Sequence, residues 1–324
     1  MTLADLFTLT SLTDAINKLP RAPSVLGDSG LFVEKPVSTT SVVVDSKDGR
    51  LSLVPAVGRD DDPTPVKDPK RTRRPFEIPH LPTSGQLLPS ELKVAGMGEE
   101  DALPAQAAVI NDKLQDMRNR LEATREWQRV GAITGKILDA DGRVIYNLYD
   151  EFGVTAKNVS TALGSDATDV RGKLMEAKRY AEKKLSGFVI TGWRAYCDED
   201  YFDALVRHPS VVKAYANHQE AVDRLGGDVR RGFTFGGIEH IEYNAVIGNQ
   251  KFIASGTARL VPVVRELFRL YNAPANYNET VGTRGVPIYA KAEPRKMGKG
   301  WDLEAQANPL AMCLVPEGLV GLTA

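Results

Sequence analysis

Residues 110–131 read INDKLQDMRNRLEATREWQRVG and carry the strongest structural signal in the chain. Their apolar residues recur at intervals of four, three and four: Ile110, Leu114, Met117 and Leu121. Apolar residues at this spacing share one face of an α-helix, so the pattern predicts a long amphipathic helix over residues 101–131. Gly131 is expected to end this helix, because glycine is common just past the last helical turn.

A β-hairpin is expected directly after this helix. Residues 133–148 contain two β-rich runs on either side of Asp141–Gly142, a dipeptide that favours hairpin turns. A second amphipathic helix is predicted from apolar residues at intervals of four, three, four and four: Val170, Leu174, Ala177, Ala181 and Leu185.

Strands and short helices are expected to mix from residue 188 onward. The pattern predicts strands or hairpins in four segments: 188–193, 233–246, 246–252 and 259–264. It predicts short helices in three more: from an Asp198 cap to about Arg207, from 210 to 225, and from 265 to 271.

Residues 1–30 are interpreted as an N-terminal arm with one short helix. Ser11 and Asp14 form a variant of the capping box ahead of an apolar run. A helix this short is not stable in isolation. We therefore expect it to lie on the core of its own subunit or on a neighbouring subunit.

Residues 31–100 are rich in proline. Strand-like runs at 41–45 and 51–55 flank Asp48–Gly49 and predict a hairpin, but nine of the chain's 19 prolines fall between residues 55 and 104. Proline fixes φ and lacks an amide donor, which excludes a helix and leaves few donors for a sheet. We expect this segment to bury little within its own subunit. It is either disordered or ordered by contacts with other chains.

Opposite charges are grouped along the same segment. The acidic group is Asp60, Asp61 and Asp62, and the basic group is Lys67, Lys70, Arg71, Arg73 and Arg74. Asp68 interrupts the basic group and only Phe76 is close enough to stack on a base, which disfavours nucleic-acid binding. Opposed charge blocks on one extended arm favour pairing between subunits.

The composition limits the classes of partner. The 324 residues are 42% hydrophobic, enough for a substantial core and about two domains. The chain has 41 Lys and Arg residues and 42 Asp and Glu residues, a net charge of −1. Its total charge therefore gives no electrostatic attraction to nucleic acid or to an anionic membrane. The N-terminus lacks the basic front of a secretory signal, and no apolar run of about 18 residues predicts a membrane span.

Cysteine and histidine form no recognisable metal or redox motif. Cys197 and Cys313 belong to no CxxC pair, and none of the four histidines has zinc-ligand spacing with them. Two small buried or half-buried thiols in a reducing cytoplasm are expected, with no metal and no cofactor. Neither cysteine is expected near a histidine that could act as its base.

Three further motifs have plain structural interpretations. Gly131-x3-Gly135-Lys136 lacks the spacing of a P-loop and precedes a strand, so we interpret it as the entry to the hairpin. Glu239-His240-Ile241-Glu242 lacks further metal ligands and is interpreted as the polar face of a strand. Gly298-Lys299-Gly300 is interpreted as a solvated basic turn. Without a nucleophile, base and orienting residue in one set, no catalytic site is predicted.

Four sequence blocks between residues 130 and 324 occur in a characteristic order: Gly135–Gly142 after the long helix, Thr234–Tyr243, Tyr271–Lys291, and Gly298–Leu310 followed by Pro316–Val320. Together they resemble the capsid E family, the major capsid proteins of lambda-like tailed bacteriophages. Each block by itself is a weak indication of the family, and the resemblance depends on finding all of them in the family's order. The first hundred residues match that family only in kind.

The resemblance implies an α+β fold, the tailed-phage major capsid fold. Its parts would be an N-terminal arm (1–30), an extended loop that reaches over an adjacent subunit (31–100), a peripheral domain with a spine helix (101–185), an axial domain (186–280) and return strands of the peripheral domain (281–324). The axial domain would pack around five-fold and six-fold axes.

The resemblance also implies a function. The chain would self-assemble as pentamers and hexamers into the icosahedral head that encloses the phage DNA genome, formed in the host cytoplasm and located in the virion. Expected partners are further copies of the chain, a scaffold protein, a portal and a decoration protein, with only non-specific proximity to packaged DNA and no membrane. The opposed charge groups would make contacts between subunits, with Arg71, Arg73 and Arg74 pairing with Glu99, Glu100 and Asp101 of a neighbour.

Three alternatives stay open at this point. An encapsulin-like nanocompartment shell shares the fold and is the nearest rival. An unrecognised cytoplasmic enzyme would need a deep pocket with convergent titratable groups. A nucleic-acid-binding module would bind with a steep dependence on salt, which a net charge of −1 disfavours.

Overall fold

The computed structural model of this chain describes residues 8–20, 24–47, 71–91, 102–216, 230, 232–247 and 250–324. Helices and strands are mixed along these residues, and from Phe233 onward strands follow one another without an intervening α-helix, in agreement with the predicted α+β class. The helices are α1 (Leu9–Lys18), α2 (Val25–Asp28), α3 (Ala102–Thr134), α4 (Leu148–Phe152), α5 (Val170–Lys184), α6 (Glu199–Arg207) and α7 (Pro209–Ala216).

The strands extend from the N-terminal region to the last residues. They are β1 (Phe32–Pro36), β2 (Ser41–Lys47), β3 (Arg71–Glu77), β4 (Leu81–Leu87), β5 (Lys136–Leu138), β6 (Val144–Asn147), β7 (Lys157–Ser160), β8 (Ile190–Cys197), β9 (Phe233–Phe235), β10 (Ile238–Glu242), β11 (Val246–Ile247), β12 (Gln250–Lys251), β13 (Thr257–Val264), β14 (Phe268–Asn272), β15 (Tyr289–Pro294), β16 (Trp301–Ala307), β17 (Pro309–Cys313) and β18 (Val320–Thr323). Strands β2 and β3 pair with each other as a two-stranded sheet.

The chain divides into two compact units. The first comprises Met1–Val42, Pro75–Arg129 and Arg269–Ala311, and the second comprises Val43–Arg74, Val130–Phe268 and Met312–Ala324. The segment 281–324, predicted to return as one group, is divided between them, since β15 and β16 lie in the first unit and β18 in the second. The five-part division predicted for the chain remains a prediction.

The first unit has its core between α3 and a three-stranded sheet. This sheet has the order β15-β16-β4, and a second sheet has the order β1-β14-β17. The apolar stripe predicted for α3 is buried in this core together with residues of α1, β4, β15 and β16: Leu12, Ile16, Leu87, Ile110, Leu114, Met117, Leu121, Ala290 and Leu303. The long amphipathic helix is therefore confirmed.

Helix α1 lies on the core of its own unit. The hydroxyl of Thr13 is 3.4 Å from the carbonyl oxygen of Ala290, and the amide of Asn17 donates to the carbonyl of Ile288 at 2.7 Å. The predicted capping residue was wrong: Thr8 is the N-cap, and its side chain accepts from the backbone N–H of Ser11. Thr8 directly precedes Leu9, the first residue of the helix, and a side-chain oxygen at that position can accept from the amides of the first turn. The first buried residue of the helix, Leu12, follows three positions after Leu9.

The second unit is built on a six-stranded mixed sheet with the order β7-β18-β13-β8-β10-β9. Strand β8 at its centre pairs antiparallel with β13 and parallel with β10. Helices α5 and α6 bury their apolar residues against this sheet, including four of the five predicted for α5: Val170, Leu174, Ala177 and Ala181. The fifth, Leu185, is the C-cap residue and is also buried. The predicted Asp198 cap of α6 is confirmed, since its side chain accepts from the N–H of Asp200.

The end of α3 differs from the prediction. The helix passes through Gly131 and ends at Thr134, and Gly135 follows with φ +82°. A Cβ atom on Gly131 would lie 2.8 Å from the Cα of Ile137, so this glycine allows the hairpin strand to approach the helix closely. Gly135 rather than Gly131 is therefore the terminating glycine. The hairpin itself is confirmed by the β5–β6 pairing, with Gly142 in its turn at φ +85°.

The helix predicted over residues 265–271 was wrong. Glu266 has φ +61° and makes a tight turn after β13, and the chain continues as β14. In β14, Arg269 is half-buried and the other four residues are buried: Phe268, Leu270, Tyr271 and Asn272. This short segment therefore shows no two-residue period, and a short apolar run cannot be assigned to a strand or a helix by periodicity alone.

The expectation that residues 31–100 bury little within their own subunit was wrong for both described ends of the segment. Strand β4 pairs with β16 over seven residues, and Phe76 and Leu87 are fully buried. Strand β4 is at the edge of its sheet and, among the described residues, has no neighbouring strand on its outer side. Proline is tolerated in such a strand because the N–H that Pro82 lacks would have no strand to donate to on that side. The predicted turn at Asp48–Gly49 and the run 51–55 lie outside the described residues.

Candidate functional site

The charged residues predicted to contact a neighbouring subunit lie mostly outside the described residues. These are Asp60, Asp61, Asp62, Lys67, Lys70, Glu99, Glu100 and Asp101. Arg71 is described for its backbone only, at the start of β3. Arg73 and Arg74 lie on the same strand, the first exposed and the second half-buried.

Arg74 has a partner inside the second unit. Its guanidinium lies 5.8 Å from the centroid of the Phe152 ring at the end of α4, in the range of a cation–π contact. A stacked guanidinium still presents its edge N–H groups to an acceptor. The pairing of these arginines with a neighbour therefore remains a prediction.

The second half of α3 carries a cluster of buried charges that the sequence interpretation missed. We call it the spine charge cluster, and its members are Arg118, Glu122, Arg125, Glu126 and Arg129. All five belong to a helix predicted to be amphipathic, whose charged residues would be expected to face solvent, and all five are buried. Buried charges are tolerated only when they are paired and hydrogen-bonded.

Glu126 is the acceptor that ties the N-terminal region to the helix. Its carboxylate accepts from the hydroxyl of Ser24, from the N–H of Leu26 at 2.7 Å and from the N–H of Gly27 at 3.2 Å. Arg129 donates to the same group at 3.1 Å. Ser24 is the N-cap of the short helix α2 and accepts from the N–H of Gly27 at 3.0 Å, and the carboxylate of Glu126, about 100 positions away in the chain, satisfies the N–H of Leu26 as well.

Arg125 links the cluster to β1 and, through Glu34, to β14. Its guanidinium donates to Glu122 at 2.9 Å and to Glu34 at 3.2 Å, and Glu34 also accepts from the side-chain amide of Asn272 at 3.2 Å. Burial lowers the pKa of Arg125, while the neighbouring carboxylates of Glu122 and Glu34 oppose that change. Arg118 closes the series by donating to the carbonyl of Ile16 at the end of α1.

The sequence contained one signal for this cluster. Arg and Glu recur at intervals of three and four between residues 118 and 129, which places them side by side on a helix. That spacing is equally typical of a solvated helix face. Only the contacts that Ile16, Ser24 and Glu34 make with this surface distinguish the two, and these residues lie about 100 positions away in the chain.

One pair of potentially reactive residues was also missed. Cys197 Sγ lies 3.9 Å from His240 Nδ1, although no cysteine was expected near a histidine. The interpretation of Glu239–Glu242 as a purely polar face was wrong as well, since His240 is fully buried beside β8. Burial lowers the pKa of His240 to about 4 and raises that of Cys197 well above its usual value, so both groups are neutral at pH 7. A neutral, buried thiol is not an activated nucleophile.

Both cysteines are buried free thiols, as predicted. Within the described ranges, no three His, Cys, Asp or Glu residues are grouped to hold a metal ion. The helices among those residues include none with the length and apolar character needed to span a bilayer.

Comparison with known proteins gives consistent matches over almost the whole chain. The family model described as phage major capsid protein E matches residues 8–324. The chain is 25% identical to the major capsid protein of Salmonella phage Felix O1 (isolate Felix O1-VT1), covering 98% of this chain and 96% of that protein. It is also 25% identical to the major capsid protein of Pseudomonas phage KPP10, covering 97% and 96%.

Solved structures share the fold at low sequence identity. The putative capsid protein of a prophage of E. coli CFT073 superposes with a TM-score of 0.60 at 14% identity, covering 97% of this chain and 98% of that chain. The capsid of the Myoviridae phage XM1 gives a TM-score of 0.52 at 10% identity, covering 100% and 98%. The predicted capsid fold is therefore confirmed.

Proposed function

This chain belongs to the phage major capsid protein E family, and from that premise we propose that it is the repeating subunit of an icosahedral phage head. The observation that carries the proposal is the match over residues 8–324, together with two relatives named as major capsid proteins that align over nearly their full length. The subunits form pentamers and hexamers, and the closed shell encloses the DNA genome. The protein is located in the virion after assembly in the host cytoplasm.

Weak contacts repeated many times suit this task. A shell has to form from soluble subunits and still remain closed. Many weak contacts acting together give a far higher overall affinity than any one of them, so the closed shell is stable although each contact is weak. Heterologous contacts that close on rotation generate rings of such subunits. The extended loop, peripheral domain and axial domain assigned above would supply these contacts.

Electron microscopy of the expressed full-length protein tests the proposal, alone and together with its neighbouring genes. We expect closed particles of uniform diameter that contain DNA when the packaging genes are present. Closed particles that carry an enclosed protein and never DNA would instead identify a nanocompartment shell. A protein that stays monomeric under all these conditions would contradict both.

We further propose that Arg71, Arg73 and Arg74 pair with Glu99, Glu100 and Asp101 of an adjacent subunit. The three acidic residues precede Ala102 in the sequence, and negative charge near a helix N-terminus is generally stabilising, which is a second, local explanation for them. Each exposed pair contributes only about 0.2–1 kcal/mol and weakens with salt, so the pairs act as a set.

Replacing all three arginines with glutamate tests this interface. We expect a subunit that remains folded by circular dichroism and fails to form closed particles. Replacing them with lysine is the matched control, because it keeps the charge. Normal yield and particle size from the glutamate variant would show that these charges are only solvated surface.

The remaining partners proposed for this function are a scaffold protein, a portal and a decoration protein. A structural role without intrinsic turnover fits the buried, neutral state of Cys197 and His240. Reproducible turnover by the purified chain, abolished by one substitution, would overturn the assignment as a non-enzyme.

A further inference from the structure

Helix α5 has a strongly basic composition in a chain that is nearly neutral. Its 15 residues include six Lys or Arg against two Glu, a net charge of +4, whereas the whole chain has a net charge of −1. The balanced total therefore hides a local positive surface. Local fields of this kind govern the binding of polyanions even when the total charge is near zero.

The positive charge lies on the side of α5 that its own unit leaves uncovered. The apolar residues Val170, Leu174, Ala177 and Ala181 are buried against the six-stranded sheet. Arg171, Arg179 and Lys183 are exposed. At 100° per residue, Arg179 and Lys183 lie about 40° apart on the side of the helix opposite the apolar residues. Arg171 lies about two turns before Arg179 and about 80° round the helix from it, at the flank of that side. The three cations span about 18 Å along the helix at 1.5 Å per residue.

The other cations of α5 already have partners within the chain. Lys173 lies 3.7 Å from Glu176, and Lys184 lies 3.0 Å from Glu317. Lys178 is over the ring of Trp193, 5.8 Å from its centroid. By contrast, Arg171, Arg179 and Lys183 form no ion pair with any residue in the part of the chain that the structure describes.

The acidic residues of the helix do not cancel this row. Glu176 is engaged with Lys173, and Asp169 caps the helix by accepting from the N–H of Gly172. Glu182 is exposed beside Lys183 and is the one carboxylate of α5 without a partner among the described residues. Three cations against one carboxylate leave a net positive outer face.

We propose that the outer face of α5, formed by Arg171, Arg179 and Lys183, binds the phosphate backbone of the packaged duplex DNA. This proposal rests on the proposed function, which places DNA inside the shell. Arg and Lys are the side chains that most often contact phosphates, and such contacts fix the position of a protein on the duplex without reading its sequence. A row of about 18 Å faces roughly five base pairs at 3.4 Å per pair.

The test uses full-length subunits held below the concentration at which they assemble. Arg171, Arg179 and Lys183 are all replaced with Gln, which keeps helix propensity and removes three charges. The matched control replaces three exposed lysines elsewhere with Gln: Lys213, Lys296 and Lys299. Binding to a labelled 30-base-pair duplex is measured by fluorescence anisotropy between about 50 and 200 mM salt.

We expect the α5 variant to bind the duplex at least about tenfold more weakly than the wild type at low salt. Its slope of log affinity against log salt should fall in magnitude by about 3, since each lost phosphate contact removes about one unit. The control variant should retain the wild-type slope. Equal slopes for the α5 variant and the wild type would overturn the proposal, as would α5-dependent binding of polyglutamate without binding of DNA, which would point to an acidic protein partner.

Electron microscopy of the same preparations after concentration separates this inference from the proposed function. Wild-type subunits that close into particles but show no α5-dependent DNA binding would contradict the inference alone. Failure of every preparation to form particles would contradict the proposed function instead.

Discussion

The long helix α3 and the six-stranded sheet bury polar groups in opposite ways. Helix α3 buries five charged side chains, and each is paired with a partner of opposite charge or with a backbone carbonyl. The sheet buries His240 and Cys197, which have no charged partner and are held neutral by burial. In this protein the buried charges of α3 therefore have a counter-charge or an acceptor within reach, either on the same helix, as for Glu122, or on another element, as for Glu126 and Arg118.

The largest expected effect comes from removing the central acceptor of the spine charge cluster. Glu126→Ala removes the acceptor of the Ser24 hydroxyl and of the Leu26 amide, and it removes the nearer of the two carboxylates that face buried Arg129. We expect a loss of about 3–5 kcal/mol in the free energy of unfolding, measured by urea denaturation. Asp112→Ala, at an exposed position of the same helix, should change it by less than about 0.5 kcal/mol. Equal effects of the two substitutions would mean that the cluster is solvated.

An apolar substitution on the same helix gives a second loss in the free energy of unfolding, with which the loss from Glu126→Ala can be compared. Leu114 is 1% exposed within the core of the first unit, and Leu114→Ala removes methyl groups and leaves a cavity. A loss of about 2–5 kcal/mol is expected in the same urea experiment. If Leu114→Ala costs far more than Glu126→Ala, the apolar stripe and not the cluster dominates the stability of α3.

The neutral histidine gives a pH-dependent effect with a defined sign. Burial lowers the pKa of His240 to about 4, whereas the unfolded chain has the ordinary value of about 6.5. Between these two pH values the unfolded state binds the extra proton, so stability is complete above pH 6.5 and is lost as the pH falls toward 4. The loss attributable to this residue is about 3 kcal/mol at most.

The difference between wild type and His240→Gln isolates this contribution from other titrating groups. Urea denaturation at pH 7, 5.5 and 4.5 should show a flatter pH profile for His240→Gln. An identical slope in the wild type and His240→Gln would show that His240 titrates normally in the folded chain.

The smallest effect is expected at the edge of the spine charge cluster. The side chain of Glu34 is 42% exposed, so water can partly replace it as a partner of Arg125. Glu34→Gln should therefore lower the free energy of unfolding by about 1–2 kcal/mol, less than Glu126→Ala. A loss as large as that of Glu126→Ala would show that Arg125 depends on Glu34 and not on Glu122.

Much of the architecture was predictable because it depends on local periodicity. The intervals of Ile110, Leu114, Met117 and Leu121 identified α3, and those of Val170 to Ala181 identified α5. The Asp141–Gly142 turn and the Asp198 cap are likewise local signals. In contrast, the continuation of α3 through Gly131 and the strand formed within residues 265–271 depend on contacts with residues distant in the sequence. Local sequence patterns carry no information about such contacts.

By itself, the sequence determined the long helix, the hairpins, the free thiols and, through four ordered blocks, the resemblance to a capsid family. Tertiary structure alone decided which polar residues are buried. Ser24, Glu34 and Ile16 meet α3 across about 100 residues of chain, and Cys197 meets His240 across 43 residues and two paired strands. The physical reason is that burial and pKa depend on which groups are close in space, and a helix face with Arg and Glu at intervals of three and four has the same sequence pattern whether water or another element covers it.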